Sequence, residues 1–345
     1  MTNPEATSAP VGRRRILAGL VGAVLAIGLL WWALRGVHLG EVVRRIRDAD
    51  PWPLVLGVVL ASLTFPMRLV RWRLLLRDES GRPLAPWPLW HATAIGFLAN
   101  NLLPFRAGEF VRVFAATKLS GVRFTAAMSS IAVERAFDGL ACIALLGVGL
   151  LTTDLPPGIV VGGVSLAQAA QVAGMLAVGA LLAAGGVVAF PLAAERVVRR
   201  LLPAGKLTDR IVGTIDGIRQ GLASLRSPAL LIEIVFWSVA LWLVNVAALW
   251  VSFAAFDIDV SFSGALVMQG VLVIGITVQL TPGFVGQFEA AIVAALALYG
   301  ISNDVASSYA IAYHGATFIP ITLAGAWSLA RTPVALSDLR GTPGQ

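Results

Sequence analysis

Long apolar segments alternate with short polar segments along most of this chain. The longest apolar segments are Ile16–Leu34, Ala127–Leu151, Val172–Phe190, Ala229–Phe256 and Val305–Ala330, and another starts near residue 53. They reach or approach the roughly 20 residues that an α-helix needs to cross a hydrocarbon layer about 30 Å thick. The pattern therefore predicts an all-α, polytopic helical membrane protein with a full span at each of these places.

Proline and glycine divide two further apolar stretches into halves that are short for a full span. The first hairpin covers about 89–118 and turns at "LPFRAG", and the second covers about 262–299 and turns at "TPGFVG". Irregular backbone at membrane depth is tolerated only where protein or a water-filled cavity satisfies it. We therefore predict two re-entrant or short-span hairpins with a buried polar cavity between their tips. The tip residues are Pro104, Gly108, Pro282 and Gly286.

The composition strengthens the membrane interpretation and excludes several classes of function. Of the 345 residues, 57% are hydrophobic and 13% are charged, and the mean hydropathy is +0.82. This balance lies far from that of soluble domains. The single cysteine, Cys142, excludes a disulfide framework and a thiolate metal site. We find no nucleotide-binding, zinc-binding or hydrolase motif, so we expect no catalytic residues, no metal, no cofactor and no nucleic-acid partner.

The distribution of positive charge predicts an orientation. Lys and Arg cluster at 13–15, 68–82, 106–123, 196–226 and Arg331, whereas 152–167, 257–261 and 300–304 contain none. The positive-inside rule places the first set in the cytoplasm and the second set outside. The tails 1–15 and 331–345 are then cytoplasmic, and the apolar segment after Arg15 is a retained anchor. Residues 35–50 break the rule, and we interpret them as an interfacial amphipathic helix.

An internal repeat connects the two hairpins. "NLLPFRAGEF" at 101–110 aligns with "QLTPGFVGQF" at 279–288, and the same offset places "SSIAVERA" at 129–136 over "SSYAIAYH" at 307–314. Three predicted spans separate the hairpins, and an odd number inverts the second copy relative to the first. We therefore predict two inverted repeats of three spans plus one hairpin, an arrangement typical of alternating-access transporters. Their boundaries are 16–151 and 168–330.

Charged residues beside the first tip suggest an anion site. Arg106, Glu109 and Arg112 follow the proline at helical spacing, so they share one side of a helix, with the acid between two bases. Such a group is suited to a phosphate or carboxylate, with its own counter-ion already present. The alternative is a cytoplasmic helix edge whose arginines extend to lipid phosphates.

A second charged group lies inside a predicted span. Glu134, Arg135 and Asp138 stand several residues into the segment, where each ionised group costs roughly 2.5–3.5 kcal/mol. Their spacing of three and four residues puts them close together on a helix, so they must face the interior of the bundle. They either form a structural network against the first hairpin or act on a substrate headgroup or on protons.

The second repeat carries less charge. Its candidate residues are Gln279, Gln287, Glu289 and His314, and Asn101 is the counterpart of Gln279 in the first repeat. A lone histidine in an apolar helix is more typical of an interhelical hydrogen bond than of a proton relay. Glu289 is the best candidate in this half for proton coupling or headgroup contact.

Two arginines end the second span. "RLVRWRLLLR" places Arg68 and Arg71 one turn apart. We interpret them as anchors at the membrane surface with Trp72 in the interface, and a dedicated site for an anionic lipid is the alternative.

The motifs together carry a family resemblance. "NLLPFRAGEFVRV", "ERAFDGL", "LTPGFVGQFEAA" and "AIAYHGATFIPITLAG" resemble the flippase-like transmembrane region of bacterial lysylphosphatidylglycerol synthases, the multiple peptide resistance factor group, and its stand-alone relatives. The resemblance covers about residues 68–325. The family pattern includes Asn101, Pro104, Gly108, Glu109, Arg112, Glu134, Arg135, Asp138, Pro282, Gly286 and Glu289. This chain departs from it at His314, where relatives often have arginine, and at "PGF", where a double glycine is usual.

The resemblance implies a lipid translocase in a bacterial cytoplasmic membrane. The expected cargo and partners are membrane lipids, either an anionic phospholipid, an aminoacylated lipid or a polyprenyl-phosphate-linked headgroup. The soluble aminoacyl transferase domain of the synthases does not occur in this sequence, so we do not expect lipid lysylation. One alternative is a membrane-embedded transferase that uses a lipid-linked donor, with Glu134 or Asp138 as the base. The other is a scaffold for a separate envelope enzyme.

Overall fold

The computed structural model describes residues 38–78, 82–154 and 228–334, together with 160–161, 164–165, 167–176, 179, 195–197, 199–200, 205, 208 and 212. The helices are α1 (Leu39–Asp48), α2 (Pro51–Leu75), α3 (Pro86–Leu102), α4 (Ala107–Ser120), α5 (Phe124–Thr152), α6 (Pro228–Phe253), α7 (Phe262–Gly275), α8 (Gln287–Ala297) and α9 (Asn303–Ala330). Residues 167–176 are also helical. Strands β1 (Val160–Val161) and β2 (Val164–Ser165) form one short antiparallel pair, with Val160 opposite Ser165.

The prediction of an all-α protein is confirmed for the described part of the chain, apart from that short strand pair. By length and hydropathy, two of its helical segments are suited to crossing a membrane, Pro51–Leu75 and Ala229–Phe256. The predicted span at 16–34 lies outside the described residues, and so does most of the span at 172–190. The number of spans therefore remains a prediction.

Helices α2 and α6 pack side by side. A Cβ added at Gly57 would lie 2.8 Å from the Ala248 carbonyl oxygen, so only glycine permits this approach of the two backbones. The faces turned away from the pair are apolar. Large exposed side chains there include Val59 and Leu63 on α2 and Ile232 and Phe236 on α6. Apolar surface of this extent is what a helix presents to lipid rather than to water.

Each predicted hairpin is a pair of helices joined by an irregular turn. In the first, α3 and α4 pack closely around Gly108, because a Cβ at that position would lie 2.0 Å from the Gly96 carbonyl oxygen. In the second, α7 and α8 are joined by the longer segment 276–286, which contains the 3₁₀ turn Pro282–Phe284. The breaks in the helices thus lie where proline and glycine predicted them.

The two hairpins begin at opposite ends of the bundle. Helix α5 has 29 residues and is about 44 Å long at 1.5 Å per residue. Near its start, Ala127 and Ile131 pack in one cluster with Leu84, which precedes the first hairpin. Near its end, Gly149 approaches Ser263 at the start of the second hairpin. The tips extend from these ends toward each other and meet.

Helix α1 has the amphipathic character that the sequence suggested for residues 35–50. Its Val42 is buried, whereas Arg44 and Arg45 are exposed and pair with Glu41. The N–H of His38, just before the helix, donates to Asp304 Oδ1 at 3.1 Å, which joins α1 to the start of α9. Whether this end faces the outside remains a prediction.

Candidate functional site

An arginine at the centre of the bundle joins three helices. Arg71 on α2 is fully buried, and its guanidinium donates to Asp138 Oδ1 at 2.6 Å and to Glu134 Oε1 at 3.2 Å. The same Nη1 donates to Ser238 Oγ on α6 at 2.9 Å. The spacing of Glu134 and Asp138 by one helical turn lets one guanidinium reach both carboxylates. A buried ion pair of this kind is stable only when its remaining donors and acceptors are also satisfied.

A second buried arginine connects the first hairpin to this centre. Arg112 on α4 donates to Glu134 Oε2 at 2.8 Å, so Glu134 lies between two guanidinium groups. The Arg112 guanidinium carbon lies 3.7 Å from the centroid of the Trp72 ring, a close cation–π contact. The Trp72 indole N–H in turn donates to Ser130 Oγ at 2.8 Å. Arg112 is thus fixed on both sides.

The rim of the charge network is more accessible than its centre. Arg135 lies 3.0 Å from Asp138 and 3.8 Å from Glu109. Arg106 pairs with Glu109 at 3.3 Å, and its side chain is 29% exposed, against 37% for Arg135. Glu109 was predicted to lie between Arg106 and Arg112. It lies instead between Arg106 and Arg135, because Arg112 turns toward Glu134.

Arg68 completes the network on the side of α6. Its guanidinium lies 3.7 Å from Asp138 Oδ2 and 5.9 Å from the centroids of the Phe97 and Trp242 rings. The Trp242 indole N–H donates to Asp138 Oδ1 at 3.1 Å. Asp138 therefore accepts contacts from three arginines and a tryptophan, and Arg68 lies between the network and the aromatic side chains beyond it.

The network carries more positive than negative charge. Within the described part of the chain it contains Arg68, Arg71, Arg106, Arg112 and Arg135 but only Glu109, Glu134 and Asp138. Buried guanidinium N–H groups of Arg71, Arg106, Arg112 and Arg135 also have no hydrogen-bond acceptor there. Such groups are costly unless water or a ligand supplies the missing acceptors. The arrangement is suited to an anion.

The anchor interpretation of Arg68, Arg71 and Trp72 is wrong. Arg71 and Trp72 have no exposed surface, and Arg68 faces the interior. The signal that could have placed them inside is the matching spacing of charges. Two acids one turn apart on α5 require two or more bases, and two arginines one turn apart on α2 provide them. Trp242 was not singled out, because nothing local distinguishes it from the other tryptophans.

Gln279 joins the two hairpin tips. Its carbonyl oxygen accepts from the Phe105 N–H at 2.9 Å, and its side-chain oxygen accepts from the Arg106 N–H at 3.1 Å. Its Nε2 donates to the carbonyl oxygens of Asn100, at 2.6 Å, and Leu103, at 3.0 Å. Phe105 and Arg106 have φ of 58° and 52°, a left-handed conformation that costs non-glycine residues energy. The contacts with Gln279 compensate for that cost.

Gln287 supports the second tip in the same way. Its Oε1 accepts from the N–H groups of Leu280 and Thr281, and its Nε2 donates to the Val278 carbonyl oxygen at 2.8 Å. The side-chain amides of Gln279 and Gln287 are therefore occupied by backbone partners. Asn101 has a different partner, because its Nδ2 donates to Thr322 Oγ1 on α9 at 2.7 Å.

Glu289 and His314 form a pair in the second half. Glu289 Oε1 lies 2.6 Å from His314 Nδ1, and the side chains are 8% and 12% exposed. Glu289 Oε2 accepts from the Gly286 N–H at 2.7 Å and so caps the start of α8. The His314 ring stacks on Phe288 with the centroids 4.3 Å apart. The predicted interhelical hydrogen bond of His314 is present, and its partner is Glu289.

The sequence predicted a polar cavity between the two hairpin tips. The structure instead has a cavity of about 240 Å³ beside the joined tips. The predicted position is wrong because Gln279 brings the two tips into direct contact with each other. Apolar and aromatic side chains make up most of the cavity wall, including Phe65, Phe97 and Phe318. Its polar side chains are Thr64, Arg68, Asn101, Trp242, Asn245, Gln269, Tyr313, His314 and Thr317. Within the described residues, the cavity included, no three His, Cys, Asp or Glu side chains converge as metal ligands would.

Comparison with known proteins identifies one family over nearly the whole chain. A family model described as Lysylphosphatidylglycerol synthase TM region matches residues 19–325. The match includes both hairpins and every arginine of the charge network.

Three relatives illustrate the range of the similarity. Glycosyltransferase AglD of Haloferax volcanii is 28% identical over 340 residues, which cover 91% of this chain and 53% of AglD. Two UPF0104 membrane proteins of Methanothermobacter thermautotrophicus are 22% and 24% identical, over 91% and 88% of this chain and 92% and 89% of their own lengths. This chain thus spans about half of AglD and most of each UPF0104 protein.

Proposed function

Because this chain belongs to the Lysylphosphatidylglycerol synthase TM region family, we propose that it is a lipid translocase. Its cargo is a membrane lipid or lipid-linked group with an anionic headgroup. The protein moves this cargo between the leaflets of the cytoplasmic membrane, with both chain termini on the cytoplasmic side. The protein carries out no chemical reaction on the lipid.

The observation that carries the proposal is the excess of positive charge in the interior. A charged group in a membrane helix is costly and persists where it has a partner or a function. Five arginines face three carboxylates in the described network, and several guanidinium N–H groups have no acceptor. A phosphate would supply both the missing charge and the missing acceptors. We assign the headgroup contact to Arg106 and Arg135 at the rim of the network and to Arg68, which lines the cavity.

The cavity supports the lipid part of the proposal. Arg68 belongs both to the charge network and to the wall of the 240 Å³ cavity. Beyond Arg68 the wall is mainly apolar and aromatic, as hydrocarbon requires. A lipid can therefore place its headgroup at Arg68 and its adjoining chain among Phe97, Phe288 and Phe318.

The hairpins support movement between two states. Helices α2, α3, α4 and α5 correspond in order and type to α6, α7, α8 and α9. The two hairpins start at opposite ends of the bundle and meet at their tips. We propose that the two units are inverted repeats that rock against each other, and that the tips are the gate. In this mechanism Gln279 and Gln287 hold the tips and do not bind the headgroup.

The test is leaflet exchange of labelled lipids in proteoliposomes. Wild-type protein is compared with Arg68→Gln and Arg135→Gln for an anionic, a zwitterionic and a polyprenyl-phosphate lipid. We expect one anionic class to exchange. Each substitution should slow that exchange about tenfold or more, since a charge-assisted hydrogen bond contributes about 1.5–3 kcal/mol. The matched control is Arg82→Gln, because Arg82 lies in an exposed loop outside the network.

The outcomes separate folding from function. Monodisperse variants with normal melting temperatures and slow exchange would support the headgroup assignment. No exchange of any lipid by well-folded wild-type protein would overturn the proposal. Equal exchange by wild type and both variants would show that Arg68 and Arg135 do not bind the headgroup.

A second candidate function follows from the similarity to AglD, which is named a glycosyltransferase. This chain matches about half of that protein, so it could serve glycosyl transfer as a membrane-embedded transferase or as a scaffold for an enzyme. The carboxylates proposed as bases, Glu134 and Asp138, are each held in ion pairs by at least two arginines, which fits a structural network better than a general base that must meet a substrate. Mass spectrometry after incubation with a lipid-linked sugar distinguishes a transferase from a translocase or a scaffold. A modified product would favour the transferase.

A further inference from the structure

We propose that Glu289 and His314 form a proton site that couples proton movement to lipid movement. This inference rests on the proposed function. The two side chains come from α8 and α9, lie 2.6 Å apart, and are almost fully buried in an apolar region. The lipid-headgroup assignment does not require either of them, and His314 lines the same cavity as Arg68.

The geometry assigns the exchangeable proton to one atom. His314 Nδ1 is directed to Glu289 Oε1, so in neutral histidine the Nδ1–H donates to the carboxylate. Nε2 is then the ring nitrogen that can accept a proton, and the histidine lines the cavity. Protonation of Nε2 converts imidazole to imidazolium. The net charge of the pair changes from −1 to zero, and Glu289 stabilises the new charge.

The surroundings explain why this charge change affects an anionic lipid. From the elements around the pair, the other charged or titratable groups that face the cavity are Arg68 on α2 and Tyr313 on α9, within the described residues. With the pair at −1, the cavity repels an anionic headgroup bound at Arg68. With the pair neutral, that repulsion disappears. Proton and headgroup therefore favour each other's binding, and by linkage the effect is reciprocal.

The pair is also connected to the gate. Glu289 Oε2 accepts from the N–H of Gly286, whose φ is 82°, and the neighbouring Gly283 and Phe284 have φ of 59° and 60°. This turn precedes α8, and Phe284 and Phe288 line the cavity. A change in the charge of Glu289 or in its contact with His314 therefore acts on the backbone of the second tip, which Gln279 joins to the first tip.

The experiment imposes a pH gradient across proteoliposomes that contain a labelled anionic lipid and, inside, a soluble pH-sensitive dye. Wild-type protein should take up protons as lipid moves. At one proton per lipid, the leaflet distribution of the label should change about tenfold per pH unit. Glu289→Gln keeps a cap acceptor and a donor to His314 but has no charge. It should lose the gradient response and the proton uptake, whatever its rate of lipid exchange.

Two further variants make the test specific. His314→Gln leaves the Glu289 carboxylate without its partner, so exchange should slow and the gradient response should vanish. His91→Gln is the matched control, because His91 lies on α3 against Trp327 and outside the cavity wall, and it should behave as wild type. Gradient-independent exchange by wild-type protein would overturn the proton site and leave the translocase intact. A gradient response retained in Glu289→Gln would overturn it as well. No lipid exchange by well-folded wild-type protein would overturn both proposals.

Discussion

The two hairpins have the same architecture and different chemistry. The first is a tight pair of helices whose outer residues enter a network of permanent charges, in which Arg112 and Glu109 pair with residues of α5. The second has a longer turn, amides that bond to the backbone, and one titratable pair, Glu289 and His314. Arginine keeps its charge at any physiological pH, whereas histidine is the side chain that can gain or lose a proton in that range. In the proposed mechanism, the first half binds charge and the second half changes charge.

The substitution with the largest expected effect removes an arginine from the centre of the charge network. Arg71→Met leaves Asp138 and Glu134 with fewer partners, and Arg71 is fully buried. Removal of one member of a buried ion pair costs about 3–5 kcal/mol. We expect the free energy of unfolding in mixed detergent to fall by about that amount.

The control for this prediction comes from the other hairpin. Glu289→Gln keeps an acceptor for the Gly286 N–H and a donor to His314 Nδ1, so its unfolding free energy should change by less than about 1 kcal/mol. If Arg71→Met unfolded as wild type does, the network would not be what holds α2 to α5.

A smaller effect tests how closely the helices of the first hairpin pack. In Gly108→Ala the new Cβ would lie 2.0 Å from the Gly96 carbonyl oxygen and 2.5 Å from Asn100 Oδ1. The helices must separate, and overpacking of this kind costs about 1–3 kcal/mol or more. The measurement is the melting temperature in detergent together with the folded yield. Gly139→Ala is the control, because a Cβ there meets nothing within 4 Å. An unchanged melting temperature for Gly108→Ala would contradict the close approach.

The smallest effect concerns the junction of the two hairpins. Gln279→Leu removes the acceptor of the Arg106 N–H and the donor to Asn100 and Leu103. Each buried group left unsatisfied costs about 1–3 kcal/mol, but local rearrangement and water recover most of it, so we expect a net loss of about 1 kcal/mol. Faster hydrogen exchange at residues 103–106 would accompany that loss.

The outcome of this substitution also bears on the gate. Thr277→Val is the control, since the Thr277 hydroxyl donates only within its own turn, to Val273. Protection of residues 103–106 that equals wild type would show that the tips are held by something other than Gln279.

Much of the fold could be predicted from the sequence because its signals are local. Apolar length indicated helices α2, α5, α6 and α9, and proline and glycine located both turns. The spacing of Glu134, Arg135 and Asp138 placed these charges together on one helix, and the first and third of them are buried. Local spacing could not tell which side chain each charge would meet. Glu109 pairs with Arg135 and not with Arg112, although Arg112 is nearer in sequence.

The amino-acid sequence alone identifies a helical membrane protein of one family, with two broken helical hairpins and charge concentrated near the first. Hydropathy, helical period and backbone stereochemistry depend on neighbours in the chain, and these determine such features. The tertiary structure alone decided that Arg71 and Trp72 lie inside, that Gln279 joins the tips, and that His314 meets Glu289. An arginine near a helix end is equally compatible with a lipid phosphate and with a buried carboxylate. Only the packing of segments distant in sequence selects the partner, because it determines which groups lose contact with water together.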